Sequence, residues 1–143
     1  MFRTSVKRGI RTLNKRRQVL LQDEVTASGE IQWRMHTNAT VTVSGASATL
    51  ELDSQKMTVT LLNPPPGAAF ATSEAVRVPN SAEPGPQIPD QPNPGVTVLT
   101  LTLPAGTYTL PVLFNPQWSG MSASDFVTPA VVALDNWSLT SHN

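Results

Sequence analysis

Glu30, Gln32, Arg34 and His36 stand at alternate positions of one short segment, the densest run of polar chemistry in the chain. On a β-strand that spacing puts the four side chains on one face, roughly 6.5–7 Å apart. Gln, Arg and His side chains can hold sugar hydroxyls or carboxylates. Gln32, Arg34 and His36 are therefore candidate binding residues. The plainer alternative is the solvent face of a half-buried strand, because Ile31, Trp33 and Met35 alternate with them. Trp33 belongs by this pattern to the core rather than to a sugar-stacking platform. Trp118 and Trp137 stand in loop-like or terminal surroundings, where either role is open.

Little else in the chain is suited to catalysis. The histidines are His36 and His142, and His142 is the second-last residue. A catalytic zinc site takes three protein ligands, and the chain has no cysteine, so no metal or cofactor site is expected. There is no nucleophile elbow, no phosphate-cradling glycine loop and no paired-histidine helix motif. Asp23 and Glu24 are adjacent, so on a strand they point to opposite faces and cannot form a facing acid/base pair. No catalytic residue is assigned.

The elements that carry these residues read as strands. Thr4 to Leu13 and Gln18 to Val25 form a hairpin across Asn14-Lys15-Arg16. Alternation continues through 30–36, through Ala39, Val41 and Val43, then through 48–52 and 57–61, with Asp53 to Lys56 as a turn. A short strand is expected within 69–78. Val96 to Leu103 is the strongest strand, with Thr107 to Phe114 as its partner across Pro104-Ala105-Gly106. Pro111 inside that partner suggests an edge position or a bulge. Residues 130–134 and 136–139 suggest a last strand. The prediction is an all-β chain, an antiparallel β-sandwich with a long Pro-rich surface loop. Residues 1–143 form a single domain or fragment, with 1–26 a basic hairpin and 79–95 the Pro-rich loop.

Charge is low and uneven. Only 14% of residues are charged, and the net charge is zero. Yet residues 1–17 carry Arg3, Lys7, Arg8, Arg11, Lys15, Arg16 and Arg17 with no acid. The other three basic residues and all ten acids follow, giving that remainder −7. Arg8 and Arg11 join the candidate binding residues for a polyanion such as an acidic polysaccharide. The cluster has no interleaved aromatics, so nucleic acid is not expected as a partner. No apolar run approaches a membrane span or a signal peptide, and no membrane partner is expected. Asn38-Ala39-Thr40 and Asn136-Trp137-Ser138 fit the glycosylation pattern, which arises by chance in a chain rich in Ser and Thr.

The order Val6-Lys7-Arg8-Gly9-Ile10-Arg11-Thr12-Leu13, Gln18-Val19-Leu20-Leu21-Gln22-Asp23-Glu24-Val25, then Ile31-Gln32-Trp33-Arg34-Met35-His36-Thr37 resembles the carboxyl-terminal β-sandwich region of heparinase II/III-like polysaccharide lyases. The terminal Leu134-Asp135-Asn136-Trp137 is compatible with it. The resemblance implies a secreted or periplasmic enzyme cleaving acidic polysaccharide by β-elimination, whose catalytic residues lie mainly in an α/α-toroid. The toroid has no counterpart in this sequence, so the chain reads as a carboxyl-terminal portion that is inactive alone. The alternative is a non-catalytic carbohydrate- or protein-binding β-sandwich module. Localisation follows the same division, extracellular for part of a full-length lyase and cytoplasmic for a chain complete as written. His36, Arg34 and Tyr108 are this chain's candidates for elimination chemistry, and their spacing does not bring them together.

Residues 79–94 contain six prolines and almost no large apolar side chain, leaving little to bury. Limited proteolysis should cut there first; protection of this stretch with cleavage elsewhere would contradict that reading.

Overall fold

A computed structural model of the chain describes residues 4–74 and 95–137. Its strands are β1 (Thr4–Leu13), β2 (Gln18–Ala27), β3 (Ile31–Thr37), β4 (Thr40–Ser44), β5 (Ser47–Leu52), β6 (Gln55–Leu61), β7 (Phe70–Glu74), β8 (Thr97–Leu103) and β9 (Gly106–Pro116). They pair antiparallel in two sheets, β1-β2-β9-β6-β5-β4 and β3-β8-β7. The main core lies between the sheets, so the fold is an all-β sandwich. The Pro-rich stretch 79–95 falls, except for Gly95, outside the described residues.

Turn chemistry sets the hairpins. Between β1 and β2, Asn14, Lys15 and Arg16 all take positive φ (54°, 59° and 64°). The turn is closed by Arg17 N donating to Leu13 O at 3.1 Å and by the Arg17 guanidinium donating to Asn14. Asp53 and Ser54 both have positive φ, the signature of a two-residue type I′ turn. Leu52 therefore faces Gln55 directly, and β6 begins two residues earlier than the sequence suggested.

Three expectations are corrected. First, β9 is not the hairpin partner of β8. The chain crosses from the small sheet to the large one at Pro104-Ala105, and Tyr108 Oη donates to Pro104 O at 2.9 Å across the crossing. β8 is the middle strand of the small sheet, with Val98 through Leu101 all buried. β9 lies inside the large sheet, sending Leu110 and Val112 into the main core.

Second, Pro111 sits in an interior strand. The β6 ladder ends at Leu61↔Val112, and Pro111 O accepts from Leu62 N at 2.8 Å. In an antiparallel ladder a residue's N–H and C=O point to the same side. The missing N–H of Pro111 thus faces the point where β6 has already run out.

Third, residues 127–137 form no strand; 138 and 139 lie outside the described residues. The segment is a strap over the outer face of β1 and β2, bonded to side chains instead of to a ladder. Gln18 exchanges bonds with Val127, Gln22 Nε2 donates to Val132 O, and Leu134 N donates to Glu24 Oε2. Beneath it lies a second small core of Leu13, Leu20 and Leu113 against Leu62 and Trp137. Gly9 makes the fit possible. A Cβ there would lie 2.5 Å from Leu134 Cδ2 and 2.7 Å from Trp137 Cζ3.

Trp33 is buried in the main core as its alternation required, 6% exposed and tilted against Phe70 with ring centroids 6.0 Å apart. Trp33→Ala should cost about 3–5 kcal/mol, the range for deleting a buried aromatic. Arg34→Ala, on the other face of β3, should cost less than about 0.5 kcal/mol. Urea denaturation of the two variants checks the assignment of faces.

Candidate functional site

β2 sends side chains alternately to two covered faces. Leu21, Asp23, Val25 and Ala27 point inward, while Gln18, Leu20, Gln22 and Glu24 meet the strap. Asp23 and Glu24 thus serve opposite sides, as adjacent strand residues must. Asp23 is 3% exposed, and a buried carboxylate needs a partner. The hairpin register supplies one, because Arg8 lies directly opposite Asp23. The contact is bidentate, Arg8 Nε to Asp23 Oδ1 at 2.6 Å and Nη2 to Oδ2 at 2.7 Å. These bonds raise the guanidinium pKa above its ordinary value, against a smaller opposing effect of burial. Arg8 stays charged at every pH at which proteins are handled. Its side chain is half-exposed, so the pair opens onto solvent.

It opens into a cleft of about 310 Å³ between the edge strands of the two sheets. Thr4, Val6 and Arg8 of β1 and Asp23, Val25 and Ala27 of β2 form its floor, all from one face. The opposite wall is residues 30–34, five in succession. Successive strand side chains point to opposite faces, so five consecutive residues share one cleft only where it follows the backbone edge. Within this wall Arg34 Nη1 donates to Gln32 Oε1 at 2.7 Å. The indole N–H of Trp33 is buried and has no hydrogen-bond acceptor.

The structure therefore gathers Arg8, Gln32 and Arg34, together with Glu30, around one cleft. It does not bring Arg11 or His36 there. Arg11 points to the outer face of β1, where its guanidinium lies 5.6 Å from the Trp137 ring centroid. His36 is exposed, farther along β3 opposite Val98. The basic residues near the amino-terminal end are likewise divided. Lys7 bridges to Asp135 on the outer face at 3.2 Å, Arg8 faces inward, and Arg17 is held by Asn14. Asp23 is the candidate-site residue that the residue types alone do not single out. As an acid beside Glu24 it points to the opposite face, and the hairpin register sets it against Arg8.

Chemically the cleft offers guanidinium and amide donors, the carboxylates of Asp23 and Glu30, an orphan indole N–H and a strand edge that no described strand pairs with. Among the described residues no group of three or more His, Asp or Glu side chains is placed to hold a metal ion. No described helix is long and apolar enough to cross a membrane. Neither the known protein families nor the curated proteins match this sequence.

Removing one partner of a buried ion pair costs about 3–5 kcal/mol. The exposure of Arg8 lets water reach this pair, so Arg8→Ala should cost less, about 2 kcal/mol. The double variant Arg8→Met with Asp23→Leu should regain most of that loss, because no uncompensated carboxylate remains. Chemical denaturation of both variants makes the comparison.

Proposed function

We propose that the chain is the carboxyl-terminal β-sandwich portion of a heparinase II/III-like polysaccharide lyase, with the β-elimination carried by a helical toroid and not by this sandwich. The three sequence segments that resemble the family fall on β1, β2 and β3, the strands that border the cleft. A β-elimination needs a base, an acid and a neutralising cation within hydrogen-bond reach of one sugar unit.

The separation of the proton-transfer candidates carries this reading. Tyr108 Oη is engaged by Pro104 O, next to Leu103, and Leu103 faces Ile31 at the start of β3. His36 lies five residues farther along β3, about 17 Å at roughly 3.4 Å per residue. One sugar ring cannot reach both. The cleft itself favours the second reading, a non-catalytic binding module, since Arg8, Gln32 and Arg34 line it and neither His36 nor Tyr108 does, while its buried carboxylate, Asp23, is tied up by Arg8.

The purified chain should show no lyase turnover on glucuronan, alginate or a heparin-type polymer, followed by the absorbance of the unsaturated uronate product. Turnover by the chain alone would defeat the proposal. In-frame coding sequence upstream that encodes a helix-rich toroid supports the lyase reading, and its absence supports the binding module.

A further inference from the structure

The two sheets are unequal, six strands against three. At one side they finish together, with β4 against β7. At the other side the large sheet runs on past β3 by the width of β1. Val6 and Ile10, on the inner face of β1, are 56% and 64% exposed, while Val25 and Ala27 one strand inward are buried. The wall above this ledge is the outer backbone edge of β3, which pairs with no other strand among the described residues. β3 pairs with β8 in unbroken register from Ile31↔Leu103 to Thr37↔Thr97. It carries no proline or bulge of the kind that normally blunts an edge strand. Beside it the buried Trp33 indole N–H lacks an acceptor.

We propose that this cleft receives one extended segment of a partner polypeptide, which joins the small sheet as a fourth strand beside β3 and covers the inner face of β1. A free strand edge is best matched by another backbone, and alternate apolar side chains of the segment would rest on Val6 and Ile10. Charge defines the partner further. Arg8, Asp23, Glu30 and Arg34 all line the cleft; Arg8 is matched by Asp23, while Arg34 and Glu30 are each in no ion pair among the described residues. The entering segment therefore carries a carboxylate toward Arg34 and none toward Glu30. The inference deepens the lyase reading by naming the contact at which further polypeptide would seat.

Other occupants fit less well. A sugar would engage Arg34 and Gln32 but leave the strand edge and the ledge uncovered. A second copy paired antiparallel about Gln32 would match Glu30 with Arg34. Its two-fold axis would be normal to the sheet, so the projecting β1 of each copy would collide with β2 of the other. The ledge is one strand wide, which suits a single strand and not a second sandwich.

The test titrates the full chain with a capped nine-residue peptide that alternates valine with threonine and carries one glutamate, followed by nuclear magnetic resonance. Backbone amides of 31–35 and the Trp33 indole N–H should shift together and saturate, while β4, the outer strand at the opposite side, stays unchanged. Val6→Lys should weaken binding about tenfold, the loss of roughly one buried aliphatic side chain. Arg34→Gln should weaken it and remove most of its salt dependence. No saturable shift at millimolar peptide would overturn the inference, as would equal shifts at β4. Competition by alginate oligomers for the same resonances would make the cleft a sugar site instead, and a β3-edge dimer in sedimentation would make a second copy the occupant. A bound peptide with no toroid encoded upstream would leave this inference standing while the lyase reading fell; a toroid with no peptide binding would do the reverse.

Discussion

The structure depends on the requirement that polar side chains buried along β2 find partners. Gln18 and Gln22 are fully buried and Asp23 nearly so, and a buried polar group left unpaired costs about 1–3 kcal/mol. Each of the three has recruited a different part of the chain. Asp23 holds Arg8, which fixes the floor of the cleft. Gln18 is satisfied by Asn14, Asn115 and Val127, and the Gln22 amide nitrogen by Val132, while Gln22 Oε1 is buried without a partner among the described residues. The strap on one face of β2 and the ion pair on the other are two answers to the same constraint. An apolar strand at this place would need neither.

The cleft follows from the same strand. β2 is covered on both sides, but among the described residues β1 beyond it is covered by the strap alone, so its inner face is exposed at Val6 and Ile10. Arg8 is the boundary residue, its charged end tied to a buried carboxylate and half of its side chain exposed. The guanidinium is thereby held in one place beside the β3 edge, with less conformational freedom to lose when a ligand arrives.

Much of this was legible in the residues. Period-two alternation located β3 and sent Trp33 inward, and the turn residues at 14–16 and 53–56 marked two hairpins, the second of which the structure tightens to Asp53-Ser54. The candidate residues Arg8, Gln32 and Arg34 share the cleft because alternation and hairpin register, both readable locally, put them there. What stayed hidden depends on contacts far apart in sequence. The jump of β9 into the other sheet is decided by where Leu110 and Val112 can be buried, and a two-residue connection looks the same in a hairpin as in a crossover. The strap was illegible because its bonds run to side chains more than 100 positions away, and such bonds leave no periodicity. Arg11 and His36 lie away from this cleft for a related reason: a strand has two faces and a length, and residue type reports neither.

Gly9 gives the strap a consequence in time. The hairpin of β1 and β2 is local and can close within microseconds once both strands exist. Among the described residues its outer face, with Leu13 and Leu20 and the bare backbone at Gly9, is covered by residues 127–137, with Leu62 and Leu113 at one end. During synthesis those are made roughly a hundred residues later, which at about 5–20 residues per second is a wait of several seconds. Throughout that interval the hairpin shows an apolar stripe beside an unpaired edge, the combination that draws chaperones and misassembly. Seven basic side chains lie in residues 1–17, and like charges of that density repel one another.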